Sequence, residues 1–475
     1  MRACVAAVLL ALGACAHPVP DSTLDVSKAT AAFENVVAAR AEELTIPGIA
    51  YAVVRDGAII SEGGITTGYG PALSPDMPLR FASVTKAFTA VLLMRAVEQG
   101  KLSLDDEAQR WHGDVDVPPQ VTLRHLAAHV SEGEVGREYV YSTDRYARLG
   151  DVLARAYGTQ SYQDALGREI FSPLGMTLRD SPYLGAHAGL VASVRDVSRF
   201  VAALQTNDLI GAGSFLTMTT PYAGPEGSLP VAVGWFSQTL SGEPVVWSYG
   251  QDDPDHSSAL VLLLPQRNMA LVMLANTDEL SNPFRLLMGD ISKSPFAAAF
   301  LDAFAPEVGA SVSARDRAIA DVLISIYRED MAAASAQFSD LAAAEAPLDA
   351  DLVLHFAAAV VADQDTSAFA RRLDRAVIEA HPANRWALLL SAGLHARLGD
   401  TALATQRYED LLALQNQEQD GLRRLFRAWA YQGLAGLHMN DPARARAYVE
   451  AGLATGVAGG TRDGLLALQA RLAQP

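Results

Sequence analysis

Apolar positions along this chain keep two different periods, and the change between them divides it. From Lys28 to Leu44 they fall at Ala31, Phe33, Val36, Val37, Ala41 and Leu44, the spacing of one helix face, ended by Pro47-Gly48. Ile49 to Val54 and Ala58 to Ser61 read as strands joined at Arg55-Asp56-Gly57, a hairpin signal. A long apolar run from Arg80 through Val97 stops at Gly100 and predicts one buried helix. Shorter helices follow at Val121 to Leu126, from Tyr146 through Leu153, and up to Leu204. Strand-like runs resume at Val231 to Gln238 and Pro244 to Tyr249. Ala259 to Leu264 and Met269 to Ala275 then flank Pro265-Gln266-Arg267-Asn268, an apolar hairpin expected near the centre of an antiparallel sheet. A segment of helical character, Phe284 to Phe304, closes this part. After Pro306 strand signals vanish, and alanine, leucine and arginine dominate.

With 475 residues the chain has room for two or three domains and an ample core. Its formal net charge of −17 argues against nucleic acid as a partner. Residues 1–15 read as a targeting signal: Arg2, an apolar stretch from Ala3 to Leu12, and small residues ending in Cys15. The stretch is too short to span a bilayer as a helix. Leu12-Gly13-Ala14-Cys15 resembles the lipobox of bacterial lipoproteins, which implies cleavage before Cys15 and lipidation of its thiol. An ordinary secretory peptide with an incidental cysteine is the alternative. The other cysteine, Cys4, lies in the segment to be removed, so the mature chain would carry no disulfide. Residues 16–26 form a polar tether. The expected location is extracytoplasmic, membrane-anchored through lipid alone, on the periplasmic side.

The candidate chemistry begins at Ser83 and Lys86. Residues three apart share a helix face, so the amine can point at the hydroxyl. A serine needs a base before it is a good nucleophile, and a lysine can be that base where burial favours its neutral form. The same spacing also serves a capping serine beside a lysine reaching to solvent. His125 and His129, four apart, suit metal spacing, but no zincin glutamate or third ligand accompanies them, so helix packing is the favoured reading. No metal or organic cofactor is implied.

Three phrases in order, Ser83-Val84-Thr85-Lys86, Tyr141-Ser142-Thr143 and Ser248-Tyr249-Gly250, resemble the active-site motifs of serine β-lactamases and penicillin-binding proteins. The best match is the branch of class C β-lactamases, D-Ala-D-Ala carboxypeptidases and esterases. Val121 to His129, Pro173 to Met176, Gly189 to Asp196, Gly234-Trp235-Phe236 and Ser257-Ser258 look like further family phrases. The resemblance covers roughly residues 30–305. It implies an α+β fold over residues 27–305, an antiparallel sheet flanked by helices plus a helical subdomain. It also implies Ser83 as nucleophile, Lys86 as its base and Tyr141 as proton shuttle. Backbone N–H groups of Ser83 and Gln251 would form the oxyanion hole, with Gly250, Ser248 and Thr143 lining the substrate site. The reaction would be acyl transfer on an ester, amide or β-lactam.

Three departures qualify the substrate. Thr143 replaces the family's asparagine. Ser248 replaces a lysine or histidine, and one missing charge-assisted hydrogen bond costs about 1.5–3 kcal/mol of carboxylate binding. Only Val130 to Val135 separates His129 from Gly136, where relatives carry a long loop, so a shallow, open site is expected, with Gln251 to Asp255 as an acidic rim. These changes argue against a dedicated penicillinase or a strict carboxypeptidase.

In the C-terminal third, Leu398 to Leu412 and His438 to Leu453 repeat a pattern at corresponding offsets, with a fainter copy at Asp365 to Val377. They resemble degenerate tetratricopeptide units, and a plain helical bundle is the alternative. Either gives an all-α domain over residues 312–475, able to dock on the catalytic part or bind a protein partner. The leading expectation is a serine hydrolase acting on a small-molecule, peptide or ester substrate. Its rivals are an inactive fold reused for binding and a slowly acylating peptidoglycan sensor.

Overall fold

The structure, a computed structural model, describes residues 24–112, 117–132, 134–179, 181–225, 227–252, 257–343, 367–417, 424–457 and 459–473. The predicted signal and its Cys15 lie outside the described residues, as do most of the tether and the start of the faint third repeat. Among the described residues no helix is long and apolar enough to cross a membrane.

Six antiparallel strands form the central sheet: β1 (Gly48–Arg55), β2 (Ala58–Thr66), β3 (Phe236–Leu240), β4 (Glu243–Asp252), β5 (Ser257–Leu264) and β6 (Met269–Ala275). Their spatial order is β2-β1-β6-β5-β4-β3. The predicted apolar hairpin is β5–β6, and both strands are buried along their whole length because helices cover both faces. The β1–β2 turn has Arg55 opposite Ala58, leaving Asp56 and Gly57 as a two-residue loop with φ of +51° and +78°. Positive φ at both positions suits the right-handed twist of the flanking strands.

Two expectations shift. β2 runs to Thr66, well past Ser61, because Gly63 and Gly64 break the apolar rhythm without breaking the pairing. The run predicted from Val231 becomes a strand only at Phe236. Gly234 interrupts it at φ +74°, where a Cβ would sit 2.6 Å from both Ala90 Cβ and the Tyr146 hydroxyl.

One face of the sheet packs on α1 (Val26–Glu43) and α6 (Pro295–Phe304), through Phe33, Tyr51, Leu271 and Phe300. The other packs on α2 (Thr85–Glu98) and α5 (Val194–Gln205), through Ala52, Phe88, Phe200 and Val261. Phe88 and Phe200 stack with ring centroids 3.8 Å apart. Two short helices, α3 (Thr143–Ala147) and α4 (Leu149–Tyr157), lie beside α2.

Everything described beyond Pro306 is helical: a short turn, α7 (Ala314–Tyr327), α8 (Met331–Ala343), α9 (Ser367–Ala380), α10 (Arg385–Arg397), α11 (Thr401–Gln417), α12 (Arg424–Leu437), α13 (Pro442–Ala454) and α14 (Gly459–Leu472). Small residues set the close approaches: a Cβ on Gly433 would lie 2.2 Å from the Tyr408 ring. The first helices continue the core on the α1/α6 side, which runs unbroken from Phe304 through Val308, Ile319 and Leu323 to Phe338 and Phe369. Polar contacts cross the same seam, Arg40 to Asp321 at 2.8 Å and the Tyr327 hydroxyl to Asp278 at 3.0 Å.

Candidate active site

Ser83 sits on a single 3-10 turn, Ala82–Val84, that feeds directly into α2. Ala82 just before it adopts φ +45°, a conformation costly for a residue with a Cβ. Thr85 holds this backbone: its hydroxyl donates to the Ala82 carbonyl at 2.6 Å and accepts the Leu190 N–H at 3.0 Å. The second bond ties the loop before α5 to the start of α2.

Lys86 is buried at 3% exposure, so it does not snorkel to solvent. Its Nζ donates to Ser83 Oγ at 3.1 Å and to the His187 carbonyl at 2.8 Å. The loop pinned by Thr85 thus presents a carbonyl to the amine. His187 itself lies next to Lys86; burial first, and then the Lys86 charge, push its imidazole below the ordinary value.

Tyr141 comes to the same place from the other side. Its ring centroid is 4.8 Å from Lys86 Nζ, and that of Tyr146 is 5.6 Å. No hydrogen bond of the Tyr141 hydroxyl to Ser83 or Lys86 is formed among the described residues. His129 stacks on Tyr141 at 4.4 Å and on Tyr146 at 5.1 Å. It lies beyond the end of its helix, at φ +53°, so it does not share a helix face with His125. Each histidine accepts a backbone N–H at Nδ1: His125 from Thr122 at 3.1 Å, His129 from Ser142 at 3.2 Å. Burial, and then Lys86, push the His129 imidazole well below its ordinary value, so it is a neutral platform. Ser142 caps α3 and donates to Glu132, which also accepts from buried Arg145 at 3.2 Å. This network fixes the backbone on which Tyr141 stands.

The third segment is the end of β4. Gly250 faces the Ser83 turn, and a Cβ there would lie 2.1 Å from the Phe81 carbonyl oxygen. Only glycine lets the strand approach this closely. Side chains two apart on a strand share a face, so buried Ser248 points the same way. β3 pairs only with residues 243–247 of β4, so among the described residues no strand lies beside the outer edge of β4 at Ser248 to Asp252, Gln251 included. Tyr249 faces the opposite side, 6.2 Å from the Tyr141 ring; burial first and then Tyr141 push its hydroxyl well above the ordinary value. Asp252 pairs with Arg80 at 3.4 Å, which offsets that part of the expected acidic rim; residues 253–256 lie outside the described residues. Thr143 is exposed at the start of α3.

Ser83 and Lys86 from one turn of chain and Tyr141 from a distant segment therefore meet, with Gly250 of β4 packed against the Ser83 turn, while Thr143 is exposed at the start of α3. Sequence reasoning missed the His187 carbonyl, two residues before the quoted Gly189 phrase, and Tyr249, which sits inside the third motif. A cavity of about 560 Å³ opens beside Tyr141, walled on its far side by α10 and α12.

A family model described as Beta-lactamase matches residues 33–287, just over half of the chain. The chain belongs to the beta-lactamase family. Among curated proteins it is 30% identical over 167 residues to Penicillin-binding protein 4 of Amycolatopsis lactamdurans, covering 28% of this chain and 44% of that one. It is 30% identical over 118 residues to Esterase EstB of Burkholderia gladioli, covering 23% of this chain and 30% of that one. The chain thus spans less than half the length of either relative. The octameric penicillin-binding protein homologue from Pyrococcus abyssi has the same fold, with TM-score 0.51 and 20% identity over 63% of this chain and 82% of that one.

Proposed function

We propose that this chain is an extracytoplasmic serine hydrolase that cleaves an ester or amide through an acyl-enzyme on Ser83. The observation that carries the reading is the buried Lys86 amine 3.1 Å from Ser83 Oγ. In the proposed cycle the Ser83 hydroxyl attacks the substrate carbonyl while Lys86 takes its proton. The backbone N–H groups of Ser83 and Gln251 receive the oxyanion, at the strand edge that β3 leaves uncovered. Tyr141 hands a proton to the departing alcohol or amine, and its ring's proximity to the Lys86 amine supports that relay. Water then attacks the acyl-enzyme, with the same groups acting in reverse.

Ser248 brings no positive charge to the substrate side, which favours substrates without a carboxylate beside the scissile bond. We assign residues 27–305 to the catalytic unit and 312–475 to a tetratricopeptide-like helical unit. Cys15 would carry the lipid anchor. The competing reading, a fold kept only for binding, draws on the exposed Thr143 and the uncharged Ser248.

The deciding experiment screens wild type against Ser83→Ala with p-nitrophenyl esters, nitrocefin and D-Ala-D-Ala peptides. The expected result is ester turnover that falls by roughly 10³-fold or more in the variant. Equal rates in both proteins, on every substrate, would sink the proposal.

A further inference from the structure

The cavity beside Tyr141 is built by two parts of the chain, residues between 137 and 288 and residues between 385 and 429. Tyr139, Tyr141 and Leu229 form one wall, and Trp386, Phe426 and Trp429 form the other. Its volume of about 560 Å³ lies within the range of pockets that enclose a small organic molecule.

The aromatic wall is a fixed assembly. Phe426 is fully buried and serves as its floor. Trp386 meets Phe426 edge-on at 4.9 Å and lies 5.8 Å from Trp429. Trp429 meets Phe426 at 5.3 Å, and its indole N–H donates away to Thr461 at 3.0 Å. That bond satisfies the polar end of Trp429 and holds its ring in place. Both tryptophans are only half-buried, so their rings remain available to a ligand. On the facing wall the Tyr139 hydroxyl donates to the Leu287 carbonyl at 2.6 Å, which leaves the tyrosine's carbon surface toward the cavity. Three charged residues also line it, Arg137, Glu138 and Arg385, and two of them are paired: Arg385 is over the Phe426 ring at 5.4 Å and 3.9 Å from the buried Glu138 carboxylate.

Tyr141 belongs to both places: it lines this cavity, and its ring lies 4.8 Å from the Lys86 amine. We propose that the cavity is the leaving-group subsite of the hydrolase, and that it takes an alcohol or amine bearing a bulky, uncharged aromatic group about two rings in size. The inference rests on the proposed role of Tyr141, because the group that accepts its proton must depart past that side chain. Aromatic faces meeting edge-to-face and offset give such a ligand affinity beyond the area it covers. On this account the helical region is part of the substrate site, and α10 and α12 supply the wall that the short Val130 to Val135 stretch cannot.

The test uses the full chain with 2-naphthyl acetate and methyl acetate, and calorimetry with 2-naphthol. Wild type should bind 2-naphthol, and so should Ser83→Ala, because binding needs no chemistry. Trp386→Ala and Trp429→Ala should each lower the ratio of kcat/KM for the naphthyl over the methyl ester by about tenfold, and weaken 2-naphthol binding by a similar factor. Trp386→Phe, which keeps an aromatic face, should restore most of both, and an unchanged circular dichroism spectrum would exclude a folding defect. Ester turnover with no 2-naphthol binding and an unchanged ratio in the variants would overturn the subsite while leaving the hydrolase intact. Binding of 2-naphthol that is lost in Trp386→Ala, in a protein that turns over no ester, would keep the pocket but overturn its assignment as a leaving-group subsite together with the hydrolase.

Discussion

His129 shows how one side chain can serve the site without touching substrate. It is stacked between Tyr141 and Tyr146, and its Nδ1 anchors the Ser142 N–H. Because burial and Lys86 hold its proton affinity well below the ordinary 6.5, the folded chain keeps it neutral where the unfolded chain protonates it. Its contribution to stability is therefore whole above about pH 6.5 and declines as pH falls below that value, at most by about 1.4 kcal/mol per pH unit. His129→Gln keeps an acceptor for Ser142 and removes the titration. Urea midpoints measured at pH 7 and pH 5 should fall further in wild type than in this variant, and equal falls would contradict the assignment. Gly250 makes a different demand, for space. Gly250→Ala places a Cβ against a backbone carbonyl that cannot rotate away. We expect it to destabilise the fold by about 1–3 kcal/mol and to lower turnover on every substrate alike, since β4 must back away from Ser83. A variant with wild-type Tm and rates would show that the approach is looser than described.

At the scale of elements, the site depends on a strand, a helix and a loop being tied together. Thr85 makes the tie between α2 and the loop carrying the His187 carbonyl. Thr85→Val keeps the shape, strands the Leu190 N–H and should cost about 1–3 kcal/mol, with kcat falling more than KM rises. Thermal melts and steady-state kinetics on one ester check both. Much of this level was legible in the chain. The β5–β6 hairpin declared itself because both strands are unbroken apolar runs, and α2 because its apolar residues go nearly all the way round. Ser83, Lys86 and Tyr141 were singled out through three short motifs, each local, taken in order along the chain. The rest depends on what distant segments do to each other. Residues 62–66 pair as strand despite two glycines, since β1 supplies their hydrogen-bond partners. The stretch from Phe284 to Lys293 breaks into short turns at Arg285 and Gly289, both with positive φ, before α6 begins. Trp386 and Trp429 gave no sign of a site, because a tryptophan at helical spacing reads as core until its neighbours across the cavity are known.

At the scale of the molecule, the helical region shares its apolar core with the α1/α6 face of the sheet. The β-lactamase-family part therefore presents an uncovered apolar surface once residues 306–475 are removed. The truncated chain should be largely insoluble, or bind a hydrophobic dye and melt well below the intact protein. A soluble, monomeric 24–305 fragment with an unchanged Tm would mean that the seam contributes little.

The proposed chemistry requires Ser83 to be a nucleophile activated by its neighbours. The most direct measurement is peptide mass spectrometry after exposing the native protein to a fluorophosphonate. It predicts one adduct, on the peptide containing Ser83, lost in Ser83→Ala and strongly slowed in Lys86→Ala. An unlabelled Ser83 in a folded protein, or labelling that persists undiminished without Lys86, would contradict it.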